Sequence, residues 1–214
     1  MKPNHFEQES ADMLAAIMGA RRDVRGNRFI DKPVAADILS QIFAAAEMAP
    51  SVGFSQPWEF VVVNNMKTRR ALVDNFNQVS TQAQKAFSQD KQEQYAALKL
   101  EGIMEAPVNI AVFYRPSRLP VLGQSSMEET GRYSVVCAIQ NMWLMARALN
   151  VGMGWVSILE AAFVKEQLNA PKDAELVAYL CLGYVNEFLE QPELEKLNWE
   201  RRKSIRSCIL EESY

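Results

Sequence analysis

The sequence predicts one α/β or α+β sandwich that extends over residues 1–214. Short β-rich segments alternate with segments of helical periodicity, as in folds that pack helices on a sheet. A chain of 214 residues is long enough for one ordinary core and short for two. No repeat, low-complexity tract or linker rich in Gly, Ser or Pro interrupts it. We therefore expect a single domain.

The helices are predicted where apolar side chains recur at every third or fourth position. The strands are predicted where β-branched and aromatic residues cluster. The predicted helices are 10–20, 34–48, 67–76, 130–149 and 160–168, and the predicted strands are 58–64, 106–114, 152–158 and 174–185. Segment 130–149 is hydrophobic nearly all round its middle, so we expect it to be buried, in part against another subunit.

Two segments do not fit a compact monomer. Residues 78–102 are polar and helical in composition with a weak apolar stripe, which is typical of a mobile lid, although a poorly packed helical hairpin without catalytic meaning has the same composition. Residues 186–214 form a charged arm after the last strand. Its large apolar residues predict that it wraps around a partner subunit; they are Leu194, Leu197, Trp199, Ile205, Ile209 and Leu210.

Charge and residue counts exclude several classes of function. A net charge of -3 and a pI near 5.4 argue against non-specific binding to nucleic acid or to a membrane surface. The only histidine is His5, so we expect no Ser-His-Asp triad, no Cys-His pair and no histidine-based metal site. Cys137, Cys181 and Cys208 are scattered, and the N-terminal stretch contains early acidic residues and no hydrophobic region typical of a signal peptide, so we expect reduced thiols in a cytoplasmic protein.

The first stretch with chemical potential is RRDVRGNRF, residues 21–29, in which four arginines surround Asp23. An arginine presents a rigid fork of donors that matches phosphate oxygens. The aspartate would repel such an anion. A generic cluster of this kind is more often a solvated charged turn, so this stretch alone does not establish an anion site.

Two further stretches combine small residues with hydrogen-bonding groups. In APSVGFSQPWEF, residues 49–60, the small residues allow close approach to a flat ligand, and Ser51, Ser55 and Gln56 offer hydrogen bonds; an ordinary helix-to-strand loop has the same composition. In GMGWVSILE, residues 152–160, glycines weaken a strand unless something packs on its backbone. Ser157 has no histidine to activate it as a nucleophile, but it can still form hydrogen bonds.

In this order and at these separations, RRDVR, APSVGFSQPWEFVVV and GMGWVSI resemble the FMN-dependent nitroreductase superfamily over about residues 12–203. Most members carry Arg-Arg-Ser-Val-Arg in the first motif, whereas this chain has Asp23 at the serine position. This aspartate and three longer stretches resemble the sequences of one branch of the superfamily, the 5,6-dimethylbenzimidazole synthases, which are flavin destructases. The three stretches are SVGFSQPW, YSVVCAIQNMWLMARA and GWVSIL.

The resemblance implies an α+β fold with a mixed, mostly antiparallel sheet flanked by helices, in a homodimer that exchanges its C-terminal arm. It implies two FMN sites at the subunit interface. The positions that it assigns to FMN binding are Arg21, Arg22, Arg25, Ser51, Ser55, Gln56, Gly154, Trp155, Val156 and Arg202, with Arg201 as an alternative to Arg202.

The resemblance also implies that reduced FMN and dioxygen are substrates and that no metal takes part. The products are 5,6-dimethylbenzimidazole, the lower ligand of cobalamin, and erythrose 4-phosphate. Asp23 is the candidate base, kept ionised by its arginines, and Ser157 would hold the oxygen adduct of the flavin or position Asp23. A separate flavin reductase would supply reduced FMN. An NAD(P)H-dependent nitroreductase or flavin reductase, and a non-catalytic FMN-binding protein, stay open as alternatives.

Overall fold

The computed structural model describes residues 5–214 and centres on a four-stranded sheet. The strands are β1 (Trp58–Val62), β2 (Val108–Tyr114), β3 (Gly152–Val156) and β4 (Glu175–Gly183). Their order across the sheet is β1-β2-β4-β3, and each neighbouring pair is antiparallel. One isolated parallel bridge joins Asp23 to Met153 beside β3. All four predicted strands are confirmed.

Seven α-helices occur in the described part of the chain. They are α1 (Gln8–Ala20), α2 (Ala36–Glu47), α3 (Met66–Gln84), α4 (Gln89–Ala96), α5 (Thr130–Ala148), α6 (Ala161–Gln167) and α7 (Glu193–Lys196). Every predicted helix is confirmed, but α3 extends beyond its predicted end at residue 76. No Gly or Pro stops α3 there, so its backbone bonds continue after its last buried side chain, Phe76.

The helices cover both faces of the sheet, which confirms the α+β fold. On one face, α2 and α5 enclose a core that includes Ile42, Ile139 and Met142. On the other face, a second core lies under α3 and α6 and includes Leu72 and Val164. The predicted burial of segment 130–149 is confirmed for the side of α5 that faces the sheet. Its opposite side exposes Tyr133 and Val136, and burial against another subunit stays a prediction.

The segments predicted as lid and arm contact each other. Helix α4 and the end of α3 form a hairpin, and the ring of Trp199 packs between Phe87 and Tyr95, with ring centroids 5.1 and 6.1 Å away. Lys91 lies 4.2 Å above the Trp199 ring and donates a hydrogen bond to the Trp199 carbonyl oxygen. The hairpin is thus attached to the part of the arm that precedes residue 200. Beyond that point the arm is exposed, and its exchange with a partner stays a prediction.

The three cysteines differ in how far they are buried. Cys181 is buried, Cys137 is partly buried against the core, and Cys208 is exposed, all as free thiols. Between residues 5 and 214, no helix is both long enough and apolar enough to cross a membrane.

Candidate active site

The centre of the candidate site is the segment 21–25, which lies along the free edge of β3. The Val24 N–H donates to the Met153 carbonyl oxygen at 3.0 Å, and Oδ1 of Asp23 accepts from the Trp155 N–H at 3.0 Å. A Cβ at Gly154 would overlap the Val24 carbonyl oxygen, so only glycine permits this approach. The sequence predicted a close neighbour on the Gly154 backbone, and that neighbour is this chain's own segment.

Opposing electrostatic effects act on the pKa of the Asp23 carboxyl. Its side chain is 36% exposed and forms an ion pair with Arg25. Burial is the largest effect and raises the pKa of Asp23, and the negative charge of Glu193 adds to the increase. The opposite effect, a lowering of this pKa, comes from Arg25, the Trp155 N–H and Arg21, and it is smaller. The neighbouring arginines favour the ionised form, as the sequence predicted, but burial outweighs them in the net direction of the pKa. Desolvation prevails because protein covers much of the carboxylate on the β3 side.

The Arg25 guanidinium is directed at acceptors within the protein. Its Nη1 donates to the carbonyl oxygens of Leu100 at 3.1 Å and Trp155 at 3.2 Å, and its Nη2 pairs with Asp23. The side chain is only 14% exposed. Arg25 therefore joins the 21–25 segment to β3 and to the residues that follow α4.

The other two arginines of the motif lie at the end of α1. The Arg21 guanidinium stacks 4.9 Å from the centre of the Trp143 ring. Arg22 donates to the carbonyl oxygens of Gly19, at 2.7 Å, and of Glu190 in the arm. With these contacts, Arg21 and Arg22 line one and the same pocket.

Arg22 lies among other cationic side chains. Burial, together with the charges of Arg21, Arg202 and Arg147, lowers its pKa. Its Nε is buried and has no hydrogen-bond partner among the described residues. Clustered guanidinium groups with an unsatisfied donor favour an anion, because a negative charge relieves their mutual repulsion.

These residues surround a pocket of about 200 Å³. Its lining consists of Arg21, Arg22, Asp23, Arg25, Leu98, Lys99, Leu100, Pro192, Glu193 and Leu194. The last six of these residues belong to the predicted lid (78–102) and arm (186–214), but the sequence did not predict that they line a pocket. Composition indicates that such segments exist without showing which of their residues face a ligand. The volume lies below the roughly 300–1,000 Å³ of typical ligand pockets. As bounded by one chain, the pocket is therefore small for a ligand as large as a nucleotide.

The 49–60 stretch does not lie at this pocket. It leads into β1, which is separated from β3 by three inter-strand steps, or about 14 Å. Its turn is tight: Gly53, Phe54 and Gln56 have positive φ values of 54°, 54° and 47°. Within it, the Gln56 N–H donates to the Ser51 hydroxyl at 3.1 Å. A single chain thus does not bring Ser51, Ser55 and Gln56 to Asp23.

The remaining candidates lie near the pocket without lining it. Val156 is buried in the second core, so any contact with a ligand would involve its backbone. Ser157 is exposed directly after β3. Arg202 is exposed, 3.9 Å from Glu195, and Arg201 is also exposed. In residues 5–214, no group of three or more His, Cys, Asp or Glu side chains is arranged to hold a metal ion.

The fold and the sequence define the class of protein. The fold is similar to that of a solved iodotyrosine deiodinase bound to FMN and 3-iodo-L-tyrosine, with a TM-score of 0.73 and 20% identity, covering 94% of this chain and 100% of that chain. Residues 18–184 match the nitroreductase family. The chain belongs to this family, and the resemblance found in its three motifs is confirmed.

Two curated relatives specify the branch. The chain is 42% identical over 200 residues to the 5,6-dimethylbenzimidazole synthase of Rhodospirillum rubrum, covering 92% of this chain and 94% of that protein. It is 39% identical over 199 residues to the 5,6-dimethylbenzimidazole synthase of Rhodobacter capsulatus, covering 92% and 95%. The predicted similarity to this branch is confirmed along almost the whole chain.

Proposed function

We propose that the protein is a 5,6-dimethylbenzimidazole synthase, which uses dioxygen to fragment reduced FMN. The products are 5,6-dimethylbenzimidazole and erythrose 4-phosphate, and the pyrimidine part of the flavin leaves as a further fragment. The observation that carries the proposal is the 42% identity to a curated synthase over 92% of the chain. The carboxylate of Asp23, fixed on β3 beside a cationic pocket, provides a chemical group suited to this reaction.

The pocket suits the two chemically different ends of FMN. Arg21 and Arg22 offer a cationic end for the phosphate. Arg202 contributes to the same positive field and would approach the phosphate from the arm. The backbone of Gly154, Trp155 and Val156 would lie beside the ring.

Asp23 would act as the base. Only its ionised form accepts a proton, and a raised pKa makes that form a stronger base than an exposed aspartate. We propose that Asp23 takes a proton from a ribityl hydroxyl or from a ring nitrogen. Ser157, one residue after β3, would hold oxygen or orient Asp23 by hydrogen bonding. Reduced FMN supplies the electrons for the reaction with dioxygen.

A homodimer would complete the site. The 49–60 stretch lies about three strands from the pocket of its own chain, so Ser51, Ser55 and Gln56 would serve the pocket of the partner. The exposed side of α5 and the arm beyond residue 200 would form the interface. The hairpin before residue 98 would close the pocket to water, which protects a reactive oxygen adduct. Because FMN is consumed, a separate cytoplasmic flavin reductase would supply it in the reduced state.

The test is a product assay. Purified protein receives excess reduced FMN without oxygen, air is then admitted, and 5,6-dimethylbenzimidazole is sought by mass spectrometry. We expect product from the wild type and none from Asp23→Asn, which should still bind FMN. Product should also decline as the pH falls toward the raised pKa of Asp23, above the value of about 3.9 for an exposed aspartate.

Other outcomes of the same assay would overturn the proposal. Rapid NAD(P)H oxidation with nitroaromatic substrates and intact FMN would identify a nitroreductase or flavin reductase. Tight FMN binding with no product and no effect of Asp23→Asn would identify a flavin-binding protein. Loss of FMN from Asp23→Asn would make Asp23 a structural residue.

A further inference from the structure

Arg25 forms a closed set of contacts with Asp23 and Trp155. Asp23 accepts the Trp155 N–H with Oδ1 and pairs with Arg25 through Oδ2. Arg25 in turn donates to the Trp155 carbonyl oxygen at 3.2 Å. Both oxygens of the carboxylate are thus held by different groups, and the carboxylate cannot rotate without breaking at least one of these contacts.

The same guanidinium reaches the segment that follows α4. Its Nη1 donates to the Leu100 carbonyl oxygen at 3.1 Å, and the adjacent Gly26 N–H donates to the Glu101 carbonyl oxygen at 2.8 Å. Leu98, Lys99 and Leu100 line the pocket. Movement of this segment away from the pocket therefore removes a contact from the group that holds Asp23.

These contacts are unlike those expected of a ligand to phosphate. Nη1 is engaged by two backbone carbonyl groups and Nη2 by Asp23. These contacts use three of the five N–H donors of the guanidinium, which leaves only Nε and one Nη2 proton for a ligand. Arg22 also donates to backbone carbonyl oxygens, those of Gly19, Arg21 and Glu190, but it forms no ion pair with Asp23 as Arg25 does.

We propose that Arg25 is a positioning residue, which fixes the orientation of the Asp23 carboxylate and makes that orientation depend on the placement of residues 98–101. The inference rests on the proposed function, in which Asp23 is the base. Its consequence is that closure of the segment after α4 and alignment of the base occur together.

Two variants separate charge from geometry. Arg25→Gln removes the charge, whereas Arg25→Lys keeps the charge but cannot hold Asp23, Trp155 and Leu100 at once. The charged groups that act on Asp23 are then Arg21 and Glu193, with Lys99 on the same pocket. Arg69→Lys is the matched control, because Arg69 is a buried arginine that also donates to backbone carbonyl oxygens, those of Val63, Ala106 and Pro107, but it does not line the pocket.

The first measurement is the rate of product formation at saturating FMN between pH 5 and 9. We expect both Arg25 variants to lose about tenfold or more in rate, with FMN affinity changed by less than about threefold. Arg25→Gln should also move the acid limb to higher pH, and Arg25→Lys should return that limb to the wild-type position without restoring the rate. Arg69→Lys should leave the limb in place.

Two results would overturn the proposal. Full recovery of the rate by Arg25→Lys would show that only the charge matters. Loss of FMN affinity with a normal rate at saturation would make Arg25 a flavin ligand.

A second measurement does not depend on product. The Asp23 carboxyl is titrated by carbon-13 NMR, and hydrogen exchange is followed at residues 98–102. We expect Arg25→Gln to raise the Asp23 midpoint and both Arg25 variants to accelerate exchange at 98–102, whereas Arg69→Lys leaves both unchanged. Unaltered titration and exchange would overturn the proposal. A wild type that forms no product would contradict the proposed function, and these two readouts would still decide the position of Asp23.

Discussion

The two groups of candidate residues lie at opposite edges of the sheet and differ in how far one chain completes them. At the β3 edge, Asp23, Arg25 and Trp155 form a network of short contacts. At the β1 edge, the 49–60 stretch forms a tight turn whose Ser55 hydroxyl is buried without a hydrogen-bond partner among the described residues. The first group is held by hydrogen bonds to the backbone of β3, whereas Ser55 and Gln56 of the second group line a different pocket of about 270 Å³.

The proposed homodimer would explain this difference, since each subunit would then contribute one of the two groups to a shared site. A network held by backbone hydrogen bonds keeps its geometry before any ligand binds, which suits groups that take part in chemistry. A turn with three positive φ values is restricted as well, but it lies at the opposite edge of the sheet from the cationic pocket of its own chain. The comparison therefore predicts one active site from two chains, and each of the following experiments tests one side of it.

The largest effect is expected from mixing two inactive variants. Asp23→Asn and the double variant Ser55→Ala/Gln56→Ala should each reduce product more than about 100-fold when pure, because each damages both sites of a homodimer. After unfolding and refolding together, about a quarter of the wild-type activity should return, since half of the dimers are mixed and each holds one intact site. Product formation by the mixture checks this. No recovery would place both groups in the same chain's site.

Gly154→Ala tests the network at the β3 edge. The added Cβ overlaps the Val24 carbonyl oxygen and should separate the 21–25 segment from β3. We expect the free energy of unfolding to fall by about 1–3 kcal/mol, as for overpacked cores, and FMN binding to be lost. Urea unfolding and FMN fluorescence titration measure these effects. Gly19→Ala is the control, because a Cβ there meets nothing within 4 Å; equal damage by both variants would contradict the prediction.

Arg22→Ala tests the cationic end of the pocket. Removing a charged hydrogen bond to phosphate should weaken FMN binding by about 1.5–3 kcal/mol, which is roughly 10- to 150-fold in Kd. Binding of riboflavin, which lacks the phosphate, should change much less. The exposed Arg70 on α3 offers a control, since Arg70→Ala should leave both affinities unchanged. An unchanged FMN affinity in Arg22→Ala would remove Arg22 from the phosphate site.

The smallest effect is expected at the contact between hairpin and arm. Trp199→Ala removes the ring that packs between Phe87 and Tyr95, but the Lys91 bond to the backbone carbonyl survives. Trypsin should then cut faster after Lys85 and Lys91, and FMN should dissociate a few times faster. Trp199→Phe should restore most of the protection because an aromatic ring is kept. Equal cleavage rates in all three proteins would show that the contact does not restrain the hairpin.

Much of the fold could be predicted because its signals are local. The run 174–185 of apolar and β-branched residues became β4, and the spacing of Ile38, Ile42 and Phe43 placed α2 correctly. The end of α3 was missed, since the change from buried to exposed positions after Phe76 does not break the backbone bonds of a helix. The pocket lining at Lys99 and Glu193 was also missed, because these residues are distant in sequence and carry no motif.

The sequence by itself determined the family, the unusual Asp23 and the order of the motifs, because these depend only on residue identity and spacing. Only the tertiary structure decided that Arg25 holds Asp23, that burial raises the pKa of that carboxyl, and that the 49–60 stretch lies at the far edge of the sheet. Strand order and desolvation arise from contacts between distant segments, and residue spacing along the chain does not encode them.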